Sequence, residues 1–288
     1  MKKFVISARP KQILKNFVIF IPLIFTLDQW GINELSSILA NSFLCFLAFS
    51  SASIIGYQAN DLIDKKFDQK HPSKKLRPIA NNEISNIEIF IFITIFLILG
   101  IIFSLVVNFY ILILFFCYIT LSFLYSYQLK NFIIVDSISI TIFYIIRMIA
   151  GAYLITLSIS IWLYILTFLS TLFIILIKRI SESKLGDFRN NNIVSFYVEI
   201  SNSKVVTLLL LINIFSYSIY SISEILSSER NIIFGLTIIF FSMGIIRYFA
   251  VTKNSTLGET PESIILSDKI IQISVFLYVI SVFISEIF

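Results

Sequence analysis

Charge is scarce in this chain. Only 14% of its 288 residues are Asp, Glu, Lys or Arg, against roughly a quarter in an ordinary soluble domain; 58% are hydrophobic and the mean hydropathy is +0.93. That deficit excludes a water-soluble globular fold and makes lipid the solvent for most of the chain. Cysteine is nearly missing too. Cys45 and Cys117 both fall in apolar runs and form no ligand-spaced pair, which excludes a disulfide framework and a zinc site and leaves two small apolar residues. Histidine occurs once, as His71 beside Pro72, a place that suits a turn better than a general base. No internal repeat, soluble domain or long linker is evident, so one integral membrane domain over 1–288 is expected. The net charge of +5 is spread over separate loops with no stacking platform beside it, which excludes a nucleic-acid partner.

What the chain has in quantity is apolar sequence in runs of about 18 to 25 residues. These cover 16–29, 36–60, 86–107, 109–127, 132–156, 159–179, 205–224, 231–250 and 268–287. A membrane β-barrel would need alternating segments of about ten residues, whereas Ile89 to Val107 is apolar on every face. The expected fold is therefore all-α, a polytopic membrane protein of about nine transmembrane helices. With the N-terminus in the cytoplasm, that count puts nearly all Lys and Arg on the inner side. Only Arg230 is left outside, in company with Asp28, Glu34, Glu224 and Glu229, as the positive-inside rule requires. The expected location is the inner cell membrane. The three sizeable polar loops, 61–85, 180–204 and 251–267, then face the cytoplasm.

The first of these loops carries the clearest chemistry. Asn60, Asp64 and Asp68 are four apart, so a second span that continued inward as a helix would set them in a slowly rotating stripe along one face. Oxygen donors of this kind suit Mg²⁺, which keeps several waters and is held by one or two carboxylates plus substrate phosphates rather than by a protein cage. A diphosphate substrate is implied. Lys74 and Arg77 follow at a distance from which a turn could return them to phosphate oxygens. Metal and cations together would neutralise a departing diphosphate, as a glycosyl or allylic transfer requires.

The pattern Asn60-x3-Asp64-x3-Asp68 ahead of Arg77-Pro78 resembles the first aspartate-rich motif of the UbiA-type intramembrane prenyltransferases, a nine-helix family that binds Mg²⁺-diphosphate substrates. Four segments resemble its decaprenyl-phosphate phosphoribosyltransferase branch. They are Ala8-Arg9-Pro10-Lys11-Gln12-x2-Lys15-Asn16, Asn60-Asp61 through His71-Pro72-x-Lys74-x2-Arg77-Pro78, Tyr125-Ser126-x2-Leu129-Lys130, and Gly258-x2-Pro261-Glu262 with Asp268. The resemblance covers nearly the whole chain. It implies that Arg9, Lys15, Asp61 and Tyr125 bind substrate, and that the protein is a homo-oligomer, a trimer.

A second Asp-x3-Asp, expected in the equivalent loop if two metals were held, is missing from 178–187. Glu182 and Asp187 are five apart, about 140° around a helix, and imitate it poorly. Lys178-Arg179-x2-Glu182 resembles instead the Lys-Arg-x2-Glu signature of the phosphoribosyl branch. A site with one acidic and one basic half suits phosphoribosyl diphosphate, whose 5-phosphate needs cations such as Lys178, Arg179, Lys130 and Arg9. In the fifth span Asp136 and Arg147 share a face but stand roughly 16 Å apart along the axis, too far to pair directly. Each needs a partner on another helix or in a watery cavity, and the functional reading has them line a phosphate cavity. The expected reaction is Mg²⁺-dependent transfer of 5-phosphoribosyl from phosphoribosyl diphosphate to a polyprenyl phosphate. Asn60, Asp64, Asp68 and Lys130 would be catalytic, and the lipid-linked pentose would serve cell-envelope glycans. The rivals are prenyl transfer from a polyprenyl diphosphate to an aromatic acceptor such as 4-hydroxybenzoate, and a non-catalytic transporter that needs no Mg²⁺.

Overall fold

A computed structural model describes residues 2–26, 30–71, 74–155, 160–185, 191–227, 230–253 and 255–287; Asp187, weighed above beside Glu182, lies outside them. Every regular element in these residues is helical. The helices gather into two compact units, one formed by 1–23 with 31–158 and the other by 24–30 with 159–288.

The first unit opens with two short helices, α1 (Lys2–Ala8) and α2 (Pro10–Ile13), and a 3-10 segment, Leu14–Phe20, continued by a single turn α3 (Ile21–Ile24). Three membrane-length helices follow on α4 (Ile32–Asp68): α5 (Asn86–Val107), α6 (Phe109–Tyr127) and α7 (Val135–Leu154). Along α4, Cys45, Ala48, Phe49, Ala52, Ile55 and Ala59 are buried. Their three- and four-residue spacing makes one stripe of mostly small side chains, and such stripes let backbones approach closely inside lipid, where van der Waals packing drives association. Helix α5 shows the complementary pattern: only Ile89, Gly100 and Ser104 of its residues are buried, so most of its surface suits acyl chains. A capping box starts it, with Glu88 N–H donating to Ser85 Oγ at 3.2 Å and Ser85 N–H to Glu88 Oε2 at 2.7 Å. At Gly151 on α7 a Cβ would stand 2.0 Å from the Ile19 carbonyl oxygen, so only glycine admits the 3-10 segment to that groove.

The second unit holds α8 (Ile161–Lys184), α9 (Asn191–Asn202), α10 (Val205–Leu226), α11 (Leu236–Lys253), α12 (Pro261–Ser267) and α13 (Lys269–Ile287). Asn213, fully buried, stitches α10 to α8 by accepting from Ser170 Oγ at 3.0 Å and donating to the Leu169 carbonyl at 3.3 Å. Helices α12 and α13 meet at 81°. Asp268 holds the bend: its Oδ1 accepts from the N–H groups of Ile270 and Ile271 at 3.0 and 3.1 Å, and its Oδ2 from Arg247 Nε at 3.0 Å.

Among the described residues, seven helices are long and apolar enough to cross a membrane, or eight if α12 and α13 form one broken span. The chain is a multi-pass membrane protein. The expected nine are not all found among the described residues, because 16–26, the described part of the run 16–29, forms no long helix. It begins in 3-10 geometry, meets Pro22, and is tucked against α7 with Ile19 only 1% exposed. Apolarity alone could not distinguish that buried insert from a span.

Candidate active site

Helix α4 has 37 residues, about 55 Å at 1.5 Å per residue, against a hydrocarbon layer of about 30 Å. Its last turns therefore stand clear of the apolar layer, and they carry Asn60, Asp61, Asp64 and Asp68. The helix does run on through Asp68, and its geometry sorts these four side chains into two sets. A four-residue step drifts by about 40° around the axis and a seven-residue step by about 20° in the other sense. Asn60 and Asp64 thus share one side, while Asp68 has rotated round to join Asp61.

Each set is met by cations from elsewhere in the first unit. Lys130, on the 3-10 turn Leu129–Asn131 between α6 and α7, donates to Asn60 Oδ1 at 3.1 Å and to Asp64 Oδ1 and Oδ2 at 2.8 and 2.9 Å. Arg77 Nη1 bridges the other set, reaching Asp68 Oδ2 at 2.7 Å and Asp61 Oδ1 at 3.2 Å. Arg9 donates to the same Asp61 oxygen and lies 5.2 Å from the centre of the Tyr57 ring. Arg9 reaches them from a left-handed backbone, φ 52° and ψ 61°, at the break between α1 and α2, a conformation few non-glycine residues adopt. A reciprocal pair holds α1 in place: Ser7 Oγ donates to Gln58 Oε1 at 2.7 Å and Gln58 Nε2 to the Ser7 carbonyl at 2.9 Å. Asp61 and Asp68 are 2% and 5% exposed, and their burial is tolerable because guanidinium groups neutralise them.

The donors Asn60 and Asp64 fit a divalent ion. Three of their oxygens already converge on one cationic atom, Lys130 Nζ. Among the described residues no three His, Cys, Asp or Glu side chains are grouped as an all-protein metal site would need, so water and phosphate would supply the other positions, as Mg²⁺ prefers.

Deeper in the first unit, Tyr125 on α6 donates to Asp136 Oδ1 on α7 at 2.8 Å. Arg147 is 3% exposed and sits in a polar knot. Its Nε donates to Asn16 Oδ1 at 2.6 Å and its Nη2 to Ser53 Oγ at 3.4 Å and to the Tyr118 hydroxyl, while Tyr118 and Tyr144 lie 4.8 and 5.3 Å from the guanidinium carbon. Both ionisable residues of α7 thus find partners on other elements. Ser53, Tyr118, Ser7 and Gln58 are participants that sequence reasoning missed; Ser53, Tyr118 and Gln58, as polar residues inside apolar runs, carried a signal, but one shared with many hydroxyls that only bond their own helix, such as Ser51 to the Leu47 carbonyl. Lys15 is partly buried on the same 3-10 segment as Asn16. Lys74 lies in the turn after α4, where its backbone N–H donates to His71 Nδ1 at 3.1 Å, so the lone histidine helps to shape that turn.

In the second unit, Glu182 near the end of α8 is bracketed by Lys178 Nζ at 3.6 Å and by the Arg179 guanidinium. These are one-turn neighbours on a helix. Burial of Glu182 at 8% exposure accompanies that pairing.

The UbiA prenyltransferase family model matches residues 20–267. Decaprenyl-phosphate phosphoribosyltransferase of Mycobacterium tuberculosis is 25% identical over 275 residues, covering 93% of this chain and 88% of that protein. The protein of the same description from Mycolicibacterium smegmatis is 24% identical over 277 residues, 93% of this chain and 87% of its own. Among solved structures, a UbiA homolog from Archaeoglobus fulgidus bound to DMAPP and Mg²⁺ superposes with a TM-score of 0.73 over 99% of both chains at 15% identity, a likeness of fold.

Proposed function

This chain belongs to the UbiA prenyltransferase family, and from that premise we propose that it transfers a 5-phosphoribosyl group from phosphoribosyl diphosphate to a polyprenyl phosphate. A phosphate oxygen of the lipid attacks the anomeric carbon, the bond from that carbon to the diphosphate oxygen breaks, and diphosphate leaves. No general base is required, because the lipid phosphate is already ionised at neutral pH.

The observation that carries this reading is the balance of charge in the polar ends. Arg9, Arg77 and Lys130 stand at the acidic end of α4, and the helix end that a two-metal prenyltransferase would furnish with a second aspartate pair offers Lys178 and Arg179 around Glu182. A substrate with three phosphate groups needs that surplus of cations more than an allylic diphosphate does. The names of the relatives matched along 93% of the chain agree with it.

Asn60 and Asp64 would hold Mg²⁺, which when bound neutralises charge gathering on the departing diphosphate, while Asp68, turned toward Asp61, would keep Arg77 in place rather than ligate the ion as its spacing suggested. Lys130 and Arg77 donate to diphosphate oxygens, with Lys74 nearby in the following turn. Asp61 aims Arg9 and Arg77, and Tyr125 fixes Asp136. Lys15 and Arg147 in the first unit, and Lys178, Arg179 and Glu182 in the second, are each assigned to phosphate and pentose recognition. The active end of α4 faces the cytoplasm of a cell membrane, where soluble phosphoribosyl diphosphate is available, and the product feeds envelope glycan synthesis.

Detergent-purified protein given Mg²⁺, polyprenyl phosphate and phosphoribosyl diphosphate labelled in the pentose is expected to move label into the organic phase. EDTA and Asp64→Ala should each abolish it. Label that stays aqueous under all conditions would refute the reading.

A further inference from the structure

We infer that Lys130 and the divalent ion are alternative occupants of the Asn60 and Asp64 oxygens, so that metal arrival expels the Lys130 ammonium and frees it for the diphosphate. The inference deepens the proposed function and rests on its assignment of Asn60 and Asp64 as metal ligands.

An ammonium group has three donors and no acceptor. Here they meet Asn60 Oδ1 at 3.1 Å and the two Asp64 oxygens at 2.8 and 2.9 Å. Lys130 thus joins one helix face to a distant loop, since 70 residues separate it from Asn60. A Mg²⁺ ion would stand about 2.0–2.1 Å from the oxygens it binds. An ion so close to oxygens that also touch Nζ would overlap the ammonium hydrogens, and both bodies are positive, so repulsion adds to the steric conflict.

Asp64 and Lys130 have side chains only 13% and 11% exposed, and a carboxylate so placed requires a counter-charge. Lys130 supplies it from a short 3-10 turn next to Ile134, whose φ of 68° is unusual for a β-branched residue. Arg77 and Arg9 do not compete for the same oxygens, because the helical drift has placed Asp61 and Asp68 on the other side. Displacement is thus confined to one cation. Once released, its three donors are available to phosphate oxygens at the moment the metal site is filled. By linkage, metal and diphosphate then strengthen each other's binding.

The test is binding of Mn²⁺ alone to the detergent-purified full chain, read from the paramagnetic resonance signal of free Mn²⁺. Lys130→Met is expected to bind Mn²⁺ about tenfold more tightly than the wild type, and adding Asp64→Asn to Lys130→Met should remove that gain. A second reading needs no variant: in the wild type, Mn²⁺ should raise the rate at which an amine-reactive reagent modifies Lys130, followed by peptide mass spectrometry. Equal or weaker Mn²⁺ affinity in Lys130→Met, a gain that survives Asp64→Asn, or unchanged Lys130 reactivity would overturn the competition while leaving the metal ligands standing. Absence of Mn²⁺ binding in both proteins would overturn the metal assignment and the competition with it. Neither donor nor acceptor is present, so a chain that used a different donor would still show the effect.

Discussion

Asp64 and Asp68 are both paired with cations, Asp64 with Lys130 and Asp68 with Arg77, and each pairing carries its own prediction. Asp64→Ala removes two of the three oxygens around Lys130 Nζ, and turnover should fall at least a hundredfold while detergent-solubilised protein keeps its elution profile. Arg77→Lys tests the second cluster. A single guanidinium nitrogen bridges Asp61 and Asp68 at 3.2 and 2.7 Å, and a lysine provides a point charge without the planar fork. The KM for phosphoribosyl diphosphate should rise roughly tenfold with a smaller change in kcat, and an unchanged KM would remove Arg77 from the donor site. The four-residue rhythm of Asn60, Asp64 and Asp68 was legible in the sequence. Its 40° drift per step was equally computable, but which residues the drift would bring together depends on where Arg77 and Lys130 return, and loops do not declare that. Asp61 shows the limit well, because it shares Arg77 with Asp68, seven residues on and two turns along the same face.

At the scale of elements, the apolar runs marked where most helices lie. The N-terminal run did not announce its fate. Its residues are as apolar as those of a span, but Gly151 opens a groove on α7 that receives the Ile19 backbone, and that is a fact of tertiary packing. Gly151→Ala should lower stability by about 1–3 kcal/mol, because the clash is with backbone oxygen that cannot rotate away; the thermal unfolding midpoint in detergent is the measurement. Arg147 ties the same 3-10 segment to α4 and α6 through Asn16, Ser53 and Tyr118. Arg147→Met leaves those buried polar groups short of a donor, at a cost of about 1–3 kcal/mol. A melting midpoint equal to the wild type would show that the knot contributes no stability.

For the whole molecule, the bias of Lys and Arg toward alternate loops is the basis of the proposed orientation. A cysteine placed at Lys66, in the last turn of α4, should be labelled by an impermeant maleimide in inside-out vesicles and spared in right-side-out ones. The reverse pattern would invert the proposed topology. Membership of the family and its helical fold could be read from motifs that span most of the chain. The choice of donor could be read only as a balance of charges, because a lysine that anchors a helix to the inner leaflet looks the same in sequence as one that binds phosphate. The decisive measurement offers the purified protein both chemistries side by side with Mg²⁺: labelled phosphoribosyl diphosphate with polyprenyl phosphate, and polyprenyl diphosphate with labelled 4-hydroxybenzoate. Label entering the organic phase from the phosphoribosyl mixture alone is the expected result. Product from the aromatic mixture alone would contradict the account and make this chain an aromatic prenyltransferase.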